Sequence, residues 1–137
     1  YLVDKFCSYC LRILNRHGYK EPEKDTYLYH IISTVEKIGD IIKYAARDYL
    51  AFKKKFSPTA KKIIADVNKS VVMYYDLFYK FDPKLATQLN ENRENVKNRI
   101  MKRALEGPAV EVMILKSLEQ ILDLLLGIVG ARLSIEY

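Results

Sequence analysis

Apolar residues recur every three to four positions along nearly the whole chain, and a few punctuation marks cut that rhythm into helices. The first stretch, VDKFCSYCLRIL, belongs to a helix predicted from about Leu2 to His17, stopped by Gly18 as a left-handed cap with Pro22 beyond it. A long second helix is predicted from Asp25, read as its N-cap, to about Phe56. Ser57-Pro58 supplies an N-cap and a proline at the first helical position for a third, ending near Phe81, and Asp82-Pro83 repeats the device for a fourth. Gly107-Pro108 closes the fourth helix and opens a fifth that runs almost to Tyr137. Five helices on short links predict an all-α bundle.

The pattern also repeats. HIISTVEKIGDIIKYAARDY in the second helix aligns without a gap on MILKSLEQILDLLLGIVGAR in the fifth, with Glu36 on Glu119 and Asp40 on Asp123. The first helix follows the latter half of the fourth, VKNRIMKRAL, with Val3 on Val96. The repeating unit is then helix, helix and an ExxxD-bearing helix. The first copy, residues 1–56, lacks its opening helix and part of its second, whereas residues 57–137 hold a complete one.

A helical wheel places the acids. With Val35 at zero, Leu28, Ile31, Ile38, Gly39, Ile42, Ala46 and Tyr49 lie within about 60°, while Glu36 and Asp40 sit near ~100° and ~140°, on one border of the apolar stripe. Glu119 and Asp123 border Leu118, Ile121, Leu122, Leu125 and Val129 in the same way. Acids four apart stand about one turn apart on one face, close enough to share a cation. The plainer reading is a solvated edge paired with bases, and Lys43 and Arg47 on the same border suit it in the first copy. At the aligned places the second copy has Leu126 and Gly130, so Asp123 has no base one turn on and needs another helix or a metal.

Composition narrows the class. The chain has 137 residues, half of them hydrophobic, enough to bury a core, and only five glycines and four prolines, in keeping with long helices. The most apolar stretch is interrupted by Lys116, Glu119 and Asp123 and reads as a core helix rather than a membrane span. A net charge of +6 speaks first to solubility and only then to phosphate-bearing partners.

VEKIGD, followed one repeat later by LEQILD, resembles the paired acidic motifs of the PhoU family of phosphate-uptake regulators. DPKLATQLNENRENVKN is similar to that family's second helix, and the resemblance covers nearly the whole chain in order, from Val3 to the end of the fifth helix. It implies stacked PhoU-like three-helix bundles and multinuclear iron or zinc clusters held at the surface by carboxylates. Glu36 and Asp40 would hold one cluster and Glu119 and Asp123 the other, with Glu94 as a further ligand. Three places depart from the family pattern. Gly39 becomes Leu122 in the second copy, Tyr1 stands where an acid would match Glu94, and Asn90 and Arg93 occupy places where acids are usual. Carboxylates alone would equally suit calcium, magnesium or manganese.

The resemblance also implies partners: the ATPase of a phosphate transporter or a sensor kinase, with membrane association only through the transporter. Nucleic acid would enter only through a further domain ahead of Tyr1. The apolar surface left by a missing helix predicts a homo-oligomer, a dimer in the simplest case.

CSYC places Cys7 and Cys10 within the first helix. A structural zinc needs four ligands, for which His17 and His30 are the only histidines, and thioredoxin-like chemistry wants a preceding strand. Ordinary reduced cysteines fit better and suit a cytoplasmic protein. FKKKFSPTAKK reads as a solvated junction, with a polyanion contact as the alternative. No nucleophile beside a base and no phosphate-cradling glycine loop is present, so the expectation is a regulator rather than an enzyme. Two other readings stay open: a nucleic-acid-binding helical module using the positive charge, and a metal-free adaptor of the kind attached to ion transporters.

Overall fold

The computed structural model describes residues 2–18, 21–53 and 55–136. Among them the chain forms five α-helices, one short 3-10 turn at Pro22–Lys24 and no strand: α1 (Leu2–His17), α2 (Asp25–Phe52), α3 (Pro58–Tyr79), α4 (Pro83–Glu106) and α5 (Ala109–Glu136). The all-α bundle predicted from the apolar rhythm is the fold observed. Among the described residues no helix is long and apolar enough to cross a membrane.

Most helix ends follow the punctuation. Gly18 takes φ +67° and its N–H donates to the Leu14 carbonyl at 2.8 Å. Ser57 Oγ accepts the Ala60 N–H at 3.1 Å ahead of Pro58, and Asp82 accepts the Lys84 N–H at 2.9 Å ahead of Pro83. The Ser57 and Asp82 caps each satisfy a donor that the first helical turn leaves without an internal partner, whereas Gly18 serves a carbonyl of the last turn of α1.

The ends of α2 differ from expectation. The 3-10 turn delivers the chain so that Asp25 is already helical, and Lys24, at the N-cap, makes no side-chain cap. At the other end α2 stops at Phe52 rather than near Phe56, because Lys53 turns left-handed with φ 56°. The reversal returns Phe56 onto the helix it has just left, its ring 4.9 Å from Tyr49 and 6.2 Å from Phe52. Aromatic contact at these distances offsets the small strain of a left-handed lysine. Likewise α3 ends at Tyr79, two residues short of Phe81. Tyr1, Lys54 and Tyr137, which entered the readings of the acid pattern, the basic junction and the last helix, lie outside the described residues.

Helices α3, α4 and α5 pack on one another around a core that includes Ile63, Val67, Leu89, Val96, Leu115 and Leu122. Helix α2 lies along α5, where Ile31 and Ile38 meet Ile128 and Ala131, and α1 packs on α2. The two long helices carrying the acid pairs are therefore neighbours at the middle of the bundle.

Candidate functional site

The two ExxxD pairs occupy matching borders of α2 and α5 but have different electrostatic surroundings. On α2, Glu36 and Asp40 are half-buried beside α1. Gly39, between them, faces Val3 of α1, and a methyl group there would lie 3.3 Å from Val3 Cγ1, so the glycine permits the close approach. Glu36 also lies near Cys7. Burial first, then the charges of Glu36, Cys10 and Asp4, raise the Cys7 thiol above its ordinary value and keep it protonated. Cys7 and Cys10 are free thiols, one buried and one half-buried.

The charge partners are reversed from those the wheel suggested. Lys43 and Arg47 do not neutralise the first pair: both cations lie over the ring of Tyr44, each 5.2 Å from its centroid. Among the described residues neither Glu36 nor Asp40 is ion-paired.

In the second pair Asp123, which has no base one turn on along its own helix, receives one from α4. Arg93 donates to one oxygen of Asp123 through Nε at 2.8 Å and through Nη2 at 2.6 Å, and Lys97 stands 3.6 Å away. Arg93 also reaches the exposed Glu94 at 3.4 Å, and Glu119 pairs with Lys116 at 3.3 Å. The hydrogen bonds to Asp123 hold Arg93 still more firmly in its charged form. Its guanidinium thus sits between Glu94 and Asp123, where a shared metal ion would have to be.

This arrangement tests the implied metal against the side chains present. Glu36 and Asp40 offer two hard-oxygen donors, one turn apart and without a competing cation, and could hold a hard cation whose remaining ligands came from water or a partner. The second pair does not fit as arranged, because the fixed charge of Arg93 takes the cation's place. Among the described residues no group of three or more His, Cys, Asp or Glu side chains is assembled for a multinuclear cluster. His17 and His30 are both exposed, and the described part of the basic junction folds back through Phe56.

Sequence reasoning missed a buried carboxylate. Glu111, in the first turn of α5, is almost fully enclosed and accepts hydrogen bonds from Arg103 Nε at 2.7 Å and Ser57 Oγ at 2.9 Å. Burial pushes its carboxyl upward, but those hydrogen bonds and the Arg103 charge outweigh it and hold the group below its ordinary value. The cluster ties the start of α3 to the turn between α4 and α5. A signal existed: Glu111 falls in register with Leu115, Leu118 and Leu122, an acid inside the apolar stripe rather than on its border.

Comparison with known proteins finds no family model, no curated protein and no solved structure that matches this chain.

Proposed function

We propose that this chain is a PhoU-like regulator that links phosphate status to uptake and signalling by docking to other proteins, with a metal ion held at the Glu36–Asp40 border of α2. The observation that carries the reading is the recurrence of one acid pair, at one place relative to the apolar stripe, on the two long helices that pack side by side. The partner inherits its identity from the resemblance: a transporter ATPase or a sensor kinase. Iron or zinc would come from the same source, and the two bare carboxylates of α2 equally suit manganese.

Metal content of the purified chain, loaded with iron, zinc or manganese and then desalted, tests the metal part. Retention that disappears in Glu36→Ala/Asp40→Ala is expected, and retention unchanged by that double variant would sink the site. Capture of a phosphate-transport ATPase or a sensor kinase, altered by phosphate supply, tests the docking part separately.

Arg93 favours a second reading. A guanidinium already seated on Asp123 and Glu94 does a metal's electrostatic work at the second pair, which suits a metal-free helical adaptor. In that case neither pair would retain metal, while docking would persist in chelator.

A further inference from the structure

The positive charge of the chain is not spread over the bundle. Residues 43–62 hold seven Lys and Arg and one acid, Asp48, a surplus of six that equals the net charge of +6 of the whole chain. The other residues are therefore balanced. Among them many bases answer an acid: Arg93 meets Asp123, Arg99 meets Asp66, Arg103 meets Glu111 and Lys116 meets Glu119. Lys53, Lys55, Lys61 and Lys62 are exposed and, among the described residues, not ion-paired.

The fold gathers these lysines at one end of the bundle. Lys53 reverses the chain, and Phe56 packs back on Tyr49 and Phe52, so the basic link is folded tightly between α2 and α3. Ser57, at the start of α3, and Arg103, in the last turn of α4, both bond to Glu111 at the start of α5. That tie brings the end of α4 beside the basic link. The same end carries apolar side chains that the core does not use. Leu105, in the last turn of α4, is 86% exposed and Leu50, in the last turn of α2, is 76% exposed; with Leu2 they are the most exposed large apolar side chains among the described residues.

Unopposed lysines select an anionic partner, and the leucines decide its class. Duplex nucleic acid would be met by the lysines alone and would leave Leu50 and Leu105 in water. An anionic bilayer takes both: its surface potential draws the lysines to the headgroups, while leucines at the same end enter the boundary with the acyl chains. We infer that this end of the bundle docks on a membrane surface rich in anionic phospholipid, with Lys53, Lys55, Lys61 and Lys62 at the headgroup phosphates and Leu50 and Leu105 inserted beneath them. The contact is with lipid itself rather than through a transporter. It is reversible, because two leucines and a few lysines fall far short of an inserted helix. The inference rests on this surface alone and is independent of the acid pairs and their metal.

Co-sedimentation of the intact chain with vesicles tests it, one set of phosphatidylcholine alone and one with about a third of its lipid replaced by phosphatidylglycerol. The anionic vesicles are expected to bind at least about tenfold more tightly, a preference that shrinks as salt rises. Lys53→Glu/Lys55→Glu/Lys61→Glu/Lys62→Glu should abolish binding. Arg12→Glu/Arg16→Glu/Lys80→Glu/Lys84→Glu, an equal change of charge at the opposite end, where α1 gives way to α2 and α3 to α4, should retain it. Leu50→Ser/Leu105→Ser should weaken vesicle binding about tenfold. All of these positions are exposed, and an unchanged helical circular dichroism signal checks that each variant folds. Equal binding to the two vesicle sets, no binding to either, equal loss in the two charge variants, unchanged vesicle binding in the leucine variant, or a short DNA duplex bound more tightly than the anionic vesicles would each overturn the inference.

Discussion

Helices α2 and α5 share a sequence pattern and differ in what lies on top of them. On α5 the stripe is closed over by α3 and α4: Leu115 and Leu122 are fully buried, and Glu111 is tied to Ser57 and Arg103 beneath the same cover. On α2 the corresponding stripe is filled only in part: Ile31 is buried against α5, Val35 borders a hollow that α3 and α5 also line, and Ile42 remains exposed. One pattern of apolar positions thus serves as a core in one place and in part as a surface in the other. Periodicity specifies a face; only the neighbouring helix decides whether that face is filled.

The largest effect should come from removing volume on the filled side. Leu122→Ala opens a cavity under α3 and α4 and is expected to cost about 3–5 kcal/mol, against less than ~1 kcal/mol for Ile42→Ala on the open side. Urea unfolding followed by circular dichroism measures both. Equal losses would mean that the α2 face is covered in solution.

Next comes the polar tie at the top of the filled unit. Glu111→Ala leaves Arg103 charged and without its buried acceptor, and a loss of about 3 kcal/mol is expected at neutral pH. The sign with pH follows from the lowered carboxyl. The folded state prefers Glu111 ionised, so its contribution is complete above the ordinary value of 4.5 and is lost as pH falls through the depressed one. Glu111→Gln should flatten that acid limb of the stability profile, and a limb of unchanged slope would assign the effect to other carboxylates.

Tyr74 gives a smaller and opposite result. Its ring is part of the core, but its buried hydroxyl has no hydrogen-bond partner among the described residues. Burial pushes the phenol up to about 12, with Arg93 lowering it and Asp123 raising it. Tyr74→Phe removes a desolvated group without opening a hole and should stabilise the chain by up to about 1 kcal/mol. The raised value also means that the wild-type chain loses stability as pH rises from 10 through about 12, a loss the phenylalanine variant should not share.

The fold was legible wherever a local signal dictates a local geometry. Gly18, Ser57-Pro58, Asp82-Pro83 and Gly107 each mark a helix end because a left-handed φ, a cap or a missing N–H acts within a few residues. The end of α2 was not legible, since Lys53 turns left-handed where nothing in its own identity asks for it and Phe56 packs back from beyond the turn. The acid pairs were placed correctly on their helix borders, but their partners were not. A wheel sees one helix, and on it Lys43 and Arg47 look paired while Asp123 looks alone. The structure seats the two bases on Tyr44 and brings Arg93 across from α4.

That reversal suggests the variant with the smallest effect on stability and the sharpest use. The Arg93–Asp123 contact is partly exposed, so Arg93→Met should cost no more than about 1 kcal/mol, the range of surface ion pairs. Its electrostatic consequence is larger, because it removes the one guanidinium lying between Asp123 and Glu94. Because Lys97 also stands 3.6 Å from Asp123, the double change Arg93→Met/Lys97→Met clears the cations of α4 from Asp123 and brings the two pairs closest to alike. Manganese binding followed by calorimetry should then rise from one site per chain to two, with the added site lost in Asp123→Asn. If stoichiometry stays unchanged, the difference between the halves lies in more than these two cations: the packing that replaces Gly39 by Leu122 would itself keep the second border from gathering ligands.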